Sequence, residues 1–99
     1  MTTSDISAII DRRCRQFSVK RLDLFGSRSR GDSKQASDYD FLVEFFEEEP
    51  AAYARSYFGL LHALEDDLKH PVDLLTPAAI RRPTLKRRIE RDRIRLYEG

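Results

Sequence analysis

The order of apolar and polar residues predicts the elements in the first half of the chain. Residues 5–17 carry apolar side chains at intervals of three and four positions, which is typical of an amphipathic helix, and Ser4 is placed to cap it. Residues 19–25 form an apolar run that stops at Gly26 and predicts a short strand. The clearest strand pattern is residues 39–45, where every second side chain is apolar. The polar segment between the two strands is expected to form turns, with one helical turn near its start.

The second half of the chain continues the alternation of helices and strands. Helical spacing of apolar residues runs from position 53 to about position 69, and residues 71–75 form a short apolar run that predicts a strand. Thr76 and Pro77 are typical of a helix start, and Pro83 is expected to restart that helix. Residues 94–97 indicate a final strand or an extended tail. This order predicts an α+β (α/β) fold, a small mixed sheet of about three to four strands with helices packed on one side.

Composition and charge narrow the function classes. A chain of 99 residues is expected to be one domain, residues 1–99, and its net charge of +1 gives no overall attraction to nucleic acid or to anionic membranes. Direct nucleic-acid binding is therefore not expected. No apolar run approaches the roughly 18 residues of a membrane helix, and the first residues lack the pattern of a secretory leader. The single cysteine, Cys14, is interpreted as a core residue, and the chain is expected to be cytoplasmic.

The C-terminal part of the chain is strongly basic despite the balanced total. Its eight basic residues, interrupted by only two acidic ones, are Arg81, Arg82, Lys86, Arg87, Arg88, Arg91, Arg93 and Arg95. Their simplest interpretation is a solvated helix face. An RNA-binding surface and a surface complementary to an acidic partner are the alternatives that the sequence leaves open.

Three aspartates indicate a metal site. Asp38 and Asp40 are two residues apart at the start of a predicted strand, so their carboxylates lie on one face, roughly 7 Å apart at the backbone. Magnesium is typically held by one or two carboxylates together with substrate phosphates. If the strand with Asp73 lies beside residues 39–45, a third carboxylate reaches the same place and allows two ions about 3.5 to 4 Å apart. This arrangement suits phosphoryl or nucleotidyl transfer.

The turn ahead of the aspartates has the residues of a phosphate site. Gly26 lets the backbone approach a phosphate without interference from a Cβ atom, and Ser27 offers a hydroxyl and an N–H at a predicted helix start. Arg28 and Arg30 are placed to neutralise further phosphate charge, which a guanidinium does through paired hydrogen bonds. A structural interpretation, with a simple turn and solvated acids, accounts for either half alone but not for the whole set.

At these residues the sequence resembles the nucleotidyltransferase superfamily related to DNA polymerase beta. The segment Gly26 to Gly31, Gly-Ser-Arg-Ser-Arg-Gly, and the segment Ser37 to Asp40, Ser-Asp-Tyr-Asp, more closely resemble the minimal nucleotidyltransferases, the MNT proteins encoded beside HEPN-domain toxins. Ser27 and Asp38 are separated by ten residues, which is within the usual spacing of the family. The resemblance extends to Asp73 and to residues 94–98, so it covers most of the chain.

The resemblance implies a polymerase beta-like palm fold and an adenylyl-transferring antitoxin. Asp38 and Asp40 would bind two Mg²⁺ ions, Asp73 would complete the metal site and help to deprotonate the acceptor, and ATP would be the substrate. The residues expected to bind the nucleotide triphosphate are Gly26, Ser27, Arg28, Arg30 and Ser37. The acceptor implied is a tyrosine hydroxyl on a HEPN ribonuclease toxin, which AMP addition silences within a hetero-oligomer of the two proteins.

Two other functions remain open on the sequence alone. The chain could neutralise its HEPN partner by contact, with the acidic run 47–49 and the basic tail as interface charges. It could instead serve as the catalytic subunit that modifies a small-molecule hydroxyl, such as that of an aminoglycoside.

Overall fold

The computed structural model describes residues 3–31 and 38–99 and has four strands and four α-helices in those ranges. The helices are α1 (Thr3–Gln16), α2 (Ser27–Arg30), α3 (Pro50–Leu68) and α4 (Pro83–Asp92). The strands are β1 (Val19–Phe25), β2 (Tyr39–Phe45), β3 (Val72–Leu75) and β4 (Ile94–Glu98). None of the helices formed by the described residues is long and apolar enough to cross a membrane.

The strands form one mixed sheet in the order β3-β2-β1-β4. β1 pairs in antiparallel fashion with both β2 and β4, whereas β2 and β3 are parallel and are connected through α3. The α+β class and the small mixed sheet predicted from the sequence are confirmed.

One face of the sheet carries the main core. The alternating apolar residues of β2, such as Phe41 and Val43, are fully buried beneath α1 and α3, which contribute Ile10, Leu60 and Leu64. The two long helices therefore pack on one side of the sheet, as predicted.

Cys14 of α1 belongs to this core and is fully buried. Burial raises the pKa of its thiol to about 12, so the thiol stays protonated and the interpretation as a core residue is confirmed.

The opposite face of the sheet is covered in part by α4. Ile89 of this helix is buried against Phe25 and Leu42, and Leu85 packs beside them. The sequence prediction of helices on a single side is thus incomplete, because α4 crosses the second face. This face also carries the polar residues of β1, β2 and β3.

Two local details differ from the sequence prediction. Pro77–Ala79 form only a single 3-10 turn, and the side chain of Thr76 makes no capping hydrogen bond. A separate helix, α4, begins at Pro83, since a residue that precedes proline is disfavoured in the helical conformation. Glu49, in the acidic run considered as interface charge, caps α3 by accepting hydrogen bonds from the backbone N–H groups of Ala51 and Ala52.

Candidate active site

The register of β2 and β3 brings two of the predicted acids together. Asp40 and Asp73 are directly paired in the parallel ladder, so both side chains lie on the face of the sheet that α4 covers. Asp38 lies immediately before β2 and is exposed. The sequence analysis brought a third carboxylate to the site only if β3 lies beside β2, and the structure shows these two strands paired.

A cavity of about 370 Å³ opens over these two acids. Its size is within the range of small-molecule sites, roughly 300 to 1,000 Å³. The described residues that line it are Phe25, Gly26, Asp40, Asp73, Leu75, Leu85, Arg88 and Asp92. The cavity therefore combines the glycine of the turn, two strand acids and one face of α4.

Both the backbone conformation at position 26 and the closeness of Asp40 favour a glycine there. Its φ of +76° is a conformation that side-chain-bearing residues rarely adopt, and a Cβ atom here would lie 2.5 Å from Oδ2 of Asp40. The N–H and the hydroxyl of Ser29 donate hydrogen bonds to the carbonyl of Gly26, at 3.1 and 2.7 Å, and fix the turn. The absence of a side chain at Gly26 is what leaves space beside the Asp40 carboxylate.

The electrostatics of the site favour a bound cation. Burial, followed by the negative charges of Asp73 and Asp38, raises the pKa of Asp40, and the positive charge of Arg88 opposes this rise. None of the described residues donates a hydrogen bond or forms an ion pair with Asp40 or Asp73. The negative charge of these acids is thus left uncompensated by direct contacts.

These residues fit a magnesium ion that arrives with a nucleotide. Within residues 3–31 and 38–99, no three acidic, histidine or cysteine side chains are gathered into a ready metal site. Magnesium does not need one, because it typically takes one or two carboxylates and completes its coordination with water and phosphate oxygens. Asp40 and Asp73 supply that pair, with Asp38 next to them outside the cavity lining.

Arg28 is not brought to the carboxylates. Its guanidinium lies 3.9 Å from the centre of the Tyr39 ring, a cation–π contact on the face of the sheet that α1 covers. There it lines a different cavity, of about 270 Å³, together with Ile6 and Leu24. Arg28 is thus not among the residues that line the cavity over Asp40 and Asp73, and its expected role in nucleotide binding stays a prediction.

Three other predicted residues are only partly described, or not at all. Ser27 and Arg30 are the first and last residues of α2, but their side chains lie outside the described residues. Ser37 lies entirely outside them. For these three, the predicted contact with the nucleotide stays a prediction.

The structure divides the basic C-terminal segment into residues with different partners. Arg93 and Arg95 form ion pairs with the buried Asp23, Arg91 contacts Asp92, and Arg88 lines the cavity. A solvated helix face is thus an incomplete description. Arg88 lies three residues after one apolar position of α4 and next to another, but the sequence did not show which face of the sheet α4 covers, so this residue was not predicted to reach the site.

Comparison with known proteins defines the class. The model of the nucleotidyltransferase domain family matches residues 6–96, and the chain belongs to this family. The resemblance seen in the sequence motifs is confirmed, and so is the prediction of a nucleotidyltransferase.

Particular relatives make the class more specific. A protein of Methanocaldococcus jannaschii named Putative protein adenylyltransferase MJ1379 is 36% identical over 97 residues, which are 94% of this chain and 96% of that protein. A structure described as a putative minimal nucleotidyltransferase is 28% identical with a TM-score of 0.64, covering 92% of this chain and 88% of that one.

A third similar protein comes from a toxin-antitoxin complex. In a structure described as the tri-AMPylated Shewanella oneidensis HEPN toxin in complex with MNT antitoxin, the matching chain is 20% identical with a TM-score of 0.66. The match covers 100% of this chain and 74% of that one. At this identity the likeness shows the shared fold.

Proposed function

We propose that this chain is an antitoxin that transfers AMP from ATP to a tyrosine hydroxyl of a partner HEPN ribonuclease toxin and thereby neutralises it. The observation that carries the proposal is the pairing of Asp40 and Asp73 in one cavity, directly beside Gly26. The relative named a protein adenylyltransferase and the AMPylated toxin bound to an MNT antitoxin support the choice of AMP and of a protein acceptor.

The site supplies what such a transfer needs. When bound by Asp40 and Asp73, with Asp38 beside them, Mg²⁺ would neutralise the phosphate oxygens and lower the pKa of the attacking hydroxyl. Gly26 leaves room for the phosphate chain beside Asp40. Asp73 is exposed on the edge strand β3 and would accept the proton of the incoming hydroxyl. The acceptor oxygen would bond to the α-phosphorus while the bond to pyrophosphate breaks.

Intact-mass measurement of the partner tests the proposal. The chain is incubated with Mg²⁺, ATP and the HEPN protein encoded beside it, and an AMP adduct on a tyrosine of that protein is expected. Asp73→Asn should abolish the adduct because the site loses one of its two paired carboxylates. Asp66→Asn is the matched control, since Asp66 is an exposed acid of α3 away from the cavity. Absence of any adduct with the unmodified chain would contradict the proposal.

A double variant separates catalysis from neutralisation by contact. Asp38→Asn with Asp40→Asn is expected to keep the complex with the toxin, because both side chains are polar and similar in shape after the change, but to leave the ribonuclease active. Full neutralisation by this variant would instead indicate an antitoxin that works by binding. Modification of an aminoglycoside, with no adduct on protein, would indicate a small-molecule acceptor.

A further inference from the structure

Helix α4 presents one arginine to the cavity of the carboxylates. Leu85 and Ile89 anchor the helix against Phe25 and Leu42. Arg88 lies next to Ile89 and three residues after Leu85, at the border of the side of the helix that faces the sheet, and it is exposed. It lines the same cavity as Asp40 and Asp73.

Arg88 differs from Arg91, Arg93 and Arg95 in having no carboxylate partner among the described residues. Arg93 and Arg95 are paired with Asp23, and Arg91 with Asp92, whereas Arg88 forms no ion pair with any residue in the described part of the chain. Its positive charge nevertheless acts on Asp40, where it opposes the rise in pKa caused by burial and by the neighbouring carboxylates. A guanidinium that faces two carboxylates across a cavity without contacting them leaves room for a ligand between them.

The position of α4 is also fixed at its C-terminal end. Arg93, the residue that follows the helix, donates its N–H to the carbonyl of Ile89 at 2.8 Å, and its side chain pairs with the buried Asp23. This contact joins the end of α4 to the centre of the sheet. Arg88, one turn earlier, is therefore held by a rigid element, which favours a defined contact with a ligand.

We propose that Arg88 binds the phosphate chain of the nucleoside triphosphate, opposite the metal ions held by the aspartates. The inference rests on the proposed function for the identity of the ligand. The bound cations would have to offset the negative charge of the aspartates as well as that of the triphosphate. Phosphate charge is then left for a guanidinium, which matches phosphate oxygens through two parallel hydrogen bonds. Carboxylate, cation, phosphate and guanidinium then alternate in sign across the cavity.

Calorimetric titration with ATP in the presence of Mg²⁺ tests this assignment. Arg88→Ala should raise the Kd for ATP by about 10- to 100-fold, the effect of losing charge-assisted hydrogen bonds. Arg88→Lys should recover part of the affinity because it keeps the charge but not the paired geometry. The matched control is Arg87→Ala, because Arg87 is the adjacent basic residue, is exposed like Arg88, and is not among the residues that line the cavity. It should stay within about twofold of the unmodified chain.

A second titration locates the contact on the ligand. The same variants are titrated with AMP, for which Arg88→Ala should cost much less than for ATP if the contact is with the outer phosphates. Equal Kd values for ATP in Arg88→Ala and Arg87→Ala, with both variants folded by circular dichroism, would overturn the assignment. If the unmodified chain binds ATP in an Arg88-dependent way but modifies no HEPN partner, the proposed function fails while this inference stands.

Discussion

The two acidic centres on the α4 side of the sheet have opposite surroundings. Asp23 of β1 is 2% exposed, and its oxygens accept hydrogen bonds from Arg93, at 2.7 Å from Nε, and from Arg95. Asp40 of β2 is half-buried beside Asp73, with no basic group in contact among the described residues. The same face of the sheet thus holds one acid that is neutralised by arginines and one pair of acids that repel each other.

This difference separates a structural charge from a functional one. Burying a carboxylate costs several kcal/mol unless partners compensate it, as they do at Asp23. At Asp40 none of the residues that the structure describes supplies such a contact, and the raised pKa reflects the cost. A protein gains nothing in stability from such a pair, so a bound cation is the simplest reason for it. Asp23 should then matter for folding, and Asp40 for catalysis.

The largest expected effect is on catalysis at Asp40. Asp40→Asn should lower the rate of AMP transfer by about 1,000-fold or more, because the site loses a charge that holds the metal ions. The free energy of unfolding should stay within about 1 kcal/mol of the original or rise, since a buried repulsion is removed. The rate is measured by intact mass of the partner and the stability by urea unfolding. A clear loss of stability would contradict the contrast with Asp23.

The second expected effect is on stability at Asp23. Asp23→Asn should lower the free energy of unfolding by about 3 kcal/mol, because breaking a buried ion pair leaves charge without its partner. Glu44→Gln is the matched control, since Glu44 pairs with Arg21 on the same face of the sheet but is 36% exposed. It should change stability by less than about 1 kcal/mol. Equal effects from the two variants in urea unfolding would show that the burial of Asp23 is not what matters.

Gly26 links the turn to the acidic pair and should show a smaller effect on stability. Gly26→Ala is expected to cost about 1 to 3 kcal/mol, from the positive φ and from the clash with Oδ2 of Asp40. Gly31→Ala is the control because Gly31 has the same φ of +76° but nothing within 4 Å of its Cβ position. A larger loss of stability and of ATP affinity at Gly26 than at Gly31 isolates the crowding of Asp40. Identical losses would assign the whole effect to the backbone.

Of the two acidic centres, only the one at Asp40 could be predicted from the sequence. The period-two pattern of residues 39–45 predicted β2 to the residue and placed Asp40 on the face opposite the core. That Asp73 lies beside it depended on β3 pairing with β2, which the family motif implied but which no local pattern specifies. Asp23 could not be singled out, since its partners are about 70 residues further along the chain.

Arg28 and Arg88 show that the sequence also does not predict which site a side chain reaches. Proximity in sequence placed Arg28 with the turn at Gly26, where a phosphate site was predicted, yet its guanidinium contacts the Tyr39 ring on the other face of the sheet. Arg88 is far from that turn in sequence and reaches the cavity only because α4 crosses the sheet. α4 packs on the sheet through two apolar residues, Leu85 and Ile89. Two such residues are too few to predict which face of the sheet the helix covers.

The smallest expected effect comes from a third acid, Asp67, whose ion pair is near the surface. Asp67 joins α3 to α1 by accepting hydrogen bonds from Arg13, with Nε to Oδ2 at 2.7 Å and Nη2 to Oδ1 at 3.1 Å. These bonds lower the pKa of Asp67 below its usual value. Because the folded pKa is below the unfolded one of about 3.9, the stabilisation is fully present above that pH and is lost as the pH falls through the lower folded pKa.

Removing this ion pair should reduce the pH dependence of the free energy of unfolding without affecting the candidate active site. Asp67→Asn is expected to lower the free energy of unfolding at pH 7 by about 1 kcal/mol, and the difference from the original chain should shrink as the pH falls below about 4. Urea unfolding at a series of pH values measures it, and the rate of AMP transfer should not change. A loss as large as that from Asp23→Asn would mean that a partly exposed pair stabilises this fold as much as a buried one. A difference that grows at low pH would contradict the lowered pKa.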